Sequence, residues 1–102
     1  MKTIEVLNRP ELTHLQVGEN HKILQIKALS GMDMPMHHST KEAVIVVIEG
    51  EAILKTKDAD YSLEKGSSMV IPEGLEHSLT VLKEFQAFAI MAQDAHINFK
   101  NY

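Results

Sequence analysis

Apolar positions along this chain come in short runs, and few recur at the 3.6-residue spacing of a helix. β-Branched residues are plentiful, with Gly, Pro, Asn and Asp between the runs at the spacing of strands and turns. Residues 3–7 and 12–17 read as short strands divided by Asn8-Arg9-Pro10, and Gly18-Glu19-Asn20 turns the chain. Residues 22–29 (KILQIKAL) form a clearer strand, broken at Ser30-Gly31. Met32-Asp33-Met34-Pro35-Met36 alternates around a proline, which suits a sheet edge or an extended approach to a site.

Two runs break the alternation expected of a strand with one face in water. Residues 43–49 (AVIVVIE) and 85–92 (FQAFAIMA) are apolar on both sides. One side belongs to the core; the other predicts a partner, most simply a homodimer joined through packed sheets. Gly50 is expected to turn the chain into residues 51–57, with Asp58-Ala59-Asp60 as a hairpin tip before residues 61–63. Glu64-Lys65-Gly66 turns again, and residues 77–82 and 85–92 are expected to pair across Lys83-Glu84. Residues 93–102 have no assignment. Many short antiparallel strands predict an all-β sandwich or barrel, with a jelly roll the natural way to protect sheet edges.

Composition narrows the function. With 102 residues the expectation is a single domain spanning the whole chain. A net charge of −4 and a single arginine, Arg9, argue against nucleic acid and anionic membranes as partners. The absence of cysteine excludes disulfides, thiolate catalysis and Cys-ligated zinc. Acidic residues arrive too early at the N-terminus for a secretory signal, and no run is long enough to span a bilayer, so a cytoplasmic protein is expected.

The candidate chemistry centres on residues 66–77, GSSMVIPEGLEH. Met69-Val70-Ile71 is closed by Pro72, which has no N–H for a ladder; Gly74 supplies a turn, and the chain re-enters strand at His77. Such a histidine either faces a cavity or is simply hydrogen-bonded within a strand. Met32, Met34 and Met36 either line a pliable pocket or fill core gaps, and filling is the commoner use of methionine.

Gly66, five residues, Pro72-Glu73-Gly74, two residues and His77 resemble the second signature of the cupin superfamily, with Val81 where the family often has Asn. Gly31, five residues, His37 and a closing Gly50 are similar to the first signature, in degraded form. The fifteen residues between Gly50 and Gly66 match the short spacing of small single-domain bacterial cupins. The resemblance implies a double-stranded β-helix, or jelly-roll barrel, and a ligand set of two histidines and a glutamate from the first signature with the histidine of the second. Here that set is depleted. Anchoring on His37 puts Ser39 at the second histidine; counting back from Gly50 puts Ala43 at the glutamate. A second register uses His38 instead, with Met36 in the first place. His37 and His38 diverge in a regular strand, and both reach one ion only if a bulge intervenes.

The expected metal donors are therefore His77 with His37 or His38, a weak set for a divalent transition ion such as zinc, nickel, iron or manganese. His14, His21 and His96 are the remaining imidazoles able to complete it. The resemblance also implies a pocket lined by Met34, Met36, Ser39, Ala43, Ile45, Val47, Ile71, Leu79 and Val81. That wall is apolar and lacks a fixed charge, which suits a small apolar or aromatic ligand with one or two polar groups. Three functions follow: a small-molecule binding cupin with weak or no metal, a metal-dependent dioxygenase- or isomerase-type enzyme, and a sensory module. The last resembles regulatory cupins that carry a DNA-binding domain, and no helix-turn-helix follows here.

Overall fold

The chain turns or bends at four of its glycines. In a computed structural model, which describes residues 9–100, Gly31, Gly50, Gly66 and Gly74 have φ of 89°, 84°, 88° and 77°. No described non-glycine residue has positive φ. The described residues form eight strands: β1 (Glu11–Val17), β2 (His21–Ala28), β3 (Asp33–Ser39), β4 (Ala43–Lys55), β5 (Asp60–Glu64), β6 (Ser68–Ile71), β7 (His77–Ala92) and β8 (Ile97–Phe99). The strand expected at residues 3–7 lies outside the described residues. No described helix is long and apolar enough to cross a membrane.

All pairing is antiparallel, and two long strands organise it. The first part of β4 pairs with the last part of β7, from Ala43↔Met91 to Glu49↔Gln86; the last part of β4 pairs with the first part of β7, from Glu51↔Lys83 to Lys55↔Ser78. On the first half β2 and β1 extend one side and β6 the other. On the second half β3 and β8 extend one side and β5 the other. The result is two five-stranded faces, β1-β2-β7-β4-β6 and β8-β3-β7-β4-β5, sharing their two central strands. This is the all-β jelly roll that the strand pattern implied.

Two expectations are corrected by this topology. Residues 77–82 and 85–92 do not pair with each other; they are one strand, and both halves pair with β4. A two-residue reversal needs positive φ at its centre, which Lys83-Glu84 does not adopt. Gly50 does not end a strand either. It sits in a bulged stretch where the register slips between Val47 and Ala52, and the chain continues to Lys55 before Thr56 closes the hairpin. A Cβ on Gly50 would overlap the Glu84 carbonyl, so both long strands bend at the same level with their backbones in contact.

The core fills the space between the faces. Phe85, Leu54, Val47 and Val81 are its largest fully buried side chains. The tail, unassigned from sequence, returns to the barrel. Lys22 Nζ donates to the Ala95 carbonyl at 2.6 Å, the Thr40 N–H donates to His96 O at 2.9 Å, and β8 pairs with the end of β3.

Candidate functional site

His37 and His77 are directly opposed partners on β3 and β7, both buried. A register slip between Met34 and His37 decides which residues accompany them. Pro35 has no N–H to give the β7 ladder, and the two-residue bulge at Pro35-Met36 inverts the alternation. Met34, His37 and Ser39 consequently point inward and are buried, while Met36 and His38 are half-buried on the other side.

The two imidazoles meet edge to face, with ring centroids 4.2 Å apart and planes 62° apart. Phe99 of β8 lies against His37 at 5.0 Å. Each ring is tied in the same way: His37 Nδ1 lies 2.7 Å from the Pro35 carbonyl, and His77 Nδ1 lies 2.8 Å from the Leu75 carbonyl. A carbonyl only accepts, so each Nδ1 carries the proton and each Nε2 is left as a bare acceptor. No described buried side-chain nitrogen or oxygen lacks a partner, and neither Nε2 has one in the protein, so both open onto accessible space. Burial pushes the His37 pKa down to about 4, against the Pro35 carbonyl, which raises it; the charges of His77 and His38 push the same way as burial. Burial also lowers the His77 pKa, again opposed by a carbonyl, that of Leu75, and helped by His38. Both rings are neutral at pH 7.

Both rings line a cavity of about 50 Å³ between the two faces. Of the residues proposed from sequence, Met34, Ser39, Ala43, Ile45, Ile71 and Leu79 line it with the two histidines. Met36, Val47 and Val81 do not. Met36 is turned away by the bulge, and Val47 and Val81 are packed into the core near the bend, where no space remains. The sequence reading missed Leu12, Ile26, Val44, Leu54, Ala89, Met91 and Ile97. Residues 85–92 read as apolar on both sides, so which of them turned inward was not visible, and Ile97 lay in the unassigned tail. Ser39 adds a hydroxyl that accepts from the Lys41 N–H at 3.3 Å and keeps its own proton to donate. The Ser39 carbonyl accepts from Gly74 N–H at 2.9 Å, which pins the Pro72-Glu73-Gly74 turn over the end of β3.

A catalytic divalent ion generally takes about three or four protein donors. The cavity offers two imidazoles and one neutral hydroxyl, with Ala43 at the position of a carboxylate. His14, His21, Glu42 and His96 are exposed, and His38 does not line the cavity. Among the described residues no group of three or more His, Cys, Asp or Glu side chains is placed to hold a metal. The donor set does not fit a tightly held ion.

Comparison with known proteins accounts for this architecture. The cupin domain family matches residues 27–96. The chain belongs to the cupin family. Comparison with curated protein sequences gives no match. Among solved structures, an RmlC-like cupin protein from Desulfovibrio desulfuricans is 24% identical, with 91% of this chain and 97% of that one covered and a TM-score of 0.72. A double-stranded β-helix protein from Klebsiella pneumoniae is 15% identical, with coverages of 97% and 90% and a TM-score of 0.83. A salicylate 1,2-dioxygenase from Pseudoaminobacter salicylatoxidans, in adducts with gentisate, is 15% identical over 99% of this cupin and 31% of that chain, with a TM-score of 0.82. At these identities the likeness is one of fold.

Proposed function

We propose that this cupin binds a small, mostly apolar molecule at the barrel mouth through hydrogen bonds to His37 and His77, without a tightly held metal. One observation carries the reading: two neutral imidazoles 4.2 Å apart, each fixed through Nδ1 and with no protein partner at Nε2, line an otherwise greasy cavity. The complementary ligand carries a hydroxyl or N–H donor for one or both nitrogens and no net charge, since the walls hold no fixed ion to pair with one. Ser39 then serves an acceptor on the same molecule. A cavity of about 150 Å³ takes benzene, so the present 50 Å³ suits a ligand smaller than an aromatic ring unless Met34 and Met91 shift, as flexible thioethers can.

The experiment is a titration followed by amide and histidine NMR with small neutral alcohols and amides, against acetate as the charged control. Saturable shifts at His37, His77 and Ser39 with the neutral set, lost in His77→Ala, are the expected result. Shifts with acetate alone, or none at these residues, overturn the reading.

A second reading, a metal-dependent cupin enzyme, is favoured only by the closeness of the two rings. Two imidazoles with solvent completing the shell make a weak, exchangeable site for zinc, nickel, iron or manganese. Elemental analysis of untagged protein separates the two. A stoichiometric transition metal lost in His77→Ala supports the enzyme; substoichiometric metal supports the binding protein.

A further inference from the structure

The cavity that holds His37 and His77 has a larger neighbour. An open cleft of about 630 Å³ lies between the start of β1, the start of β3 and the end of β8. Leu12 and Met34 line both spaces, so side chains rather than backbone separate them. Phe99 also bridges the two, since it lines the cleft and packs against the His37 ring at 5.0 Å. The hollows beside Phe85 and beside Gly50 share no lining residue with the cavity.

From this continuity we infer that the cleft holds the tail of the molecule whose polar head meets His37 and His77, with Met34 as the movable partition between the two spaces. The inference rests on the proposed function and adds the ligand class: an unbranched, uncharged chain with a hydroxyl or amide at one end. Size requires such an extension. The cavity of about 50 Å³ falls well short of the ~150 Å³ that takes benzene, so a guest larger than a few atoms has to continue into adjoining space. Pro10, Leu12, Met34, Pro35 and Phe99 give the cleft an apolar wall for a hydrocarbon tail. Arg9, Glu11, Asp33 and Lys100 stand around it, two of each sign, and offer no net field to a tail charged one way.

Met34 is suited to move. Its backbone is held in register with Leu79 of β7, the last such pair before the slip at Pro35. Its side chain is buried, at 4% exposure, yet unbranched and flexible, so the thioether can swing while the strand stays in place.

Titration of the full chain with ethanol and with 1-hexanol, followed by amide and side-chain NMR, reads both spaces at once. Ethanol is expected to shift His37 and His77 alone. Hexanol is expected to shift these together with Thr13, Asp33 and Phe99 along one saturation curve. Each methylene buried in the cleft raises affinity about four-fold, so hexanol binds at least about fifty-fold more tightly than ethanol. Met34→Ile keeps a similar volume but is stiff at its β-carbon, and is expected to cut the hexanol-to-ethanol affinity ratio at least about ten-fold. No shift at His37 and His77 with either alcohol overturns the functional reading and this inference with it. Ethanol shifts at the histidines, with hexanol moving the cleft residues on a separate curve or not at all, overturn this inference alone, and the unmutated protein decides that even if the variant does not fold. An unchanged ratio in folded Met34→Ile overturns it as well.

Discussion

His37 and His77 owe their state to the same local device, an Nδ1–H donated to a carbonyl two residues upstream. Nitrogen-15 NMR at neutral pH is expected to show both rings protonated at Nδ1 and bare at Nε2; a protonated Nε2 on either ring would remove the paired acceptors. Because burial opposes charging these rings, the unfolded chain takes up their protons first as pH falls. Stability is therefore fully present above the ordinary histidine value of 6.5 and declines as pH drops toward the His37 value of about 4. Urea midpoints at pH 7 and pH 5 are expected to fall more for the wild type than for His37→Gln; equal falls would show that the burial of His37 has no energetic consequence. His77 was legible in the sequence, because the Pro72-Glu73-Gly74 turn and its spacing fix where a strand must begin. The choice between His37 and His38 was not, because it depends on a bulge across from β7, and local letters do not specify a partner strand.

At the scale of elements, the sequence showed nearly every strand but not that β4 and β7 run through both faces. A bend without a reversal needs neither Asn-Gly nor Pro, only a glycine at the point of contact, and Gly50 reads identically as turn or bend. The structure separates it from its fellows. Gly31, Gly66 and Gly74 have open space where a Cβ would go, so substitution there meets only the backbone cost of positive φ, roughly 1–2 kcal/mol. At Gly50 the Glu84 carbonyl is in the way as well, and Gly50→Ala is expected to cost about 3 kcal/mol or more. Denaturant unfolding of Gly50→Ala beside Gly66→Ala measures the difference; similar losses would mean that the close approach is relieved without strain.

For the molecule as a whole, stability rests on the packed region near the bend rather than on the surface. The ion pairs Lys65–Glu49, Lys83–Glu51 and Lys100–Glu76 are exposed and are worth at most about 1 kcal/mol each. Phe85→Ala, at 1% exposure, is expected to cost about 3–5 kcal/mol, read from thermal or urea denaturation; a loss below 1 kcal/mol would place the core elsewhere. The jelly roll and its greasy interior could be read from the chain, since alternation and glycine placement are local signals. The size of the cavity could not, since it depends on how well side chains from seven strands fill a shared volume. The unbroken passage of β4 and β7 through both faces also limits how the barrel can move. A sandwich of separate sheets can open like a clamshell, but here the spine of each half is the same pair of covalent chains, so the halves cannot part. At the rim the shortest strand, three-residue β8, sets Phe99 beside His37 and is held on one side only, by β3. Hydrogen exchange should then find the β8 amides among the first to trade and those at the centre of β7 the last, while uniform protection would show that the shared spine gives β7 no advantage over the rim.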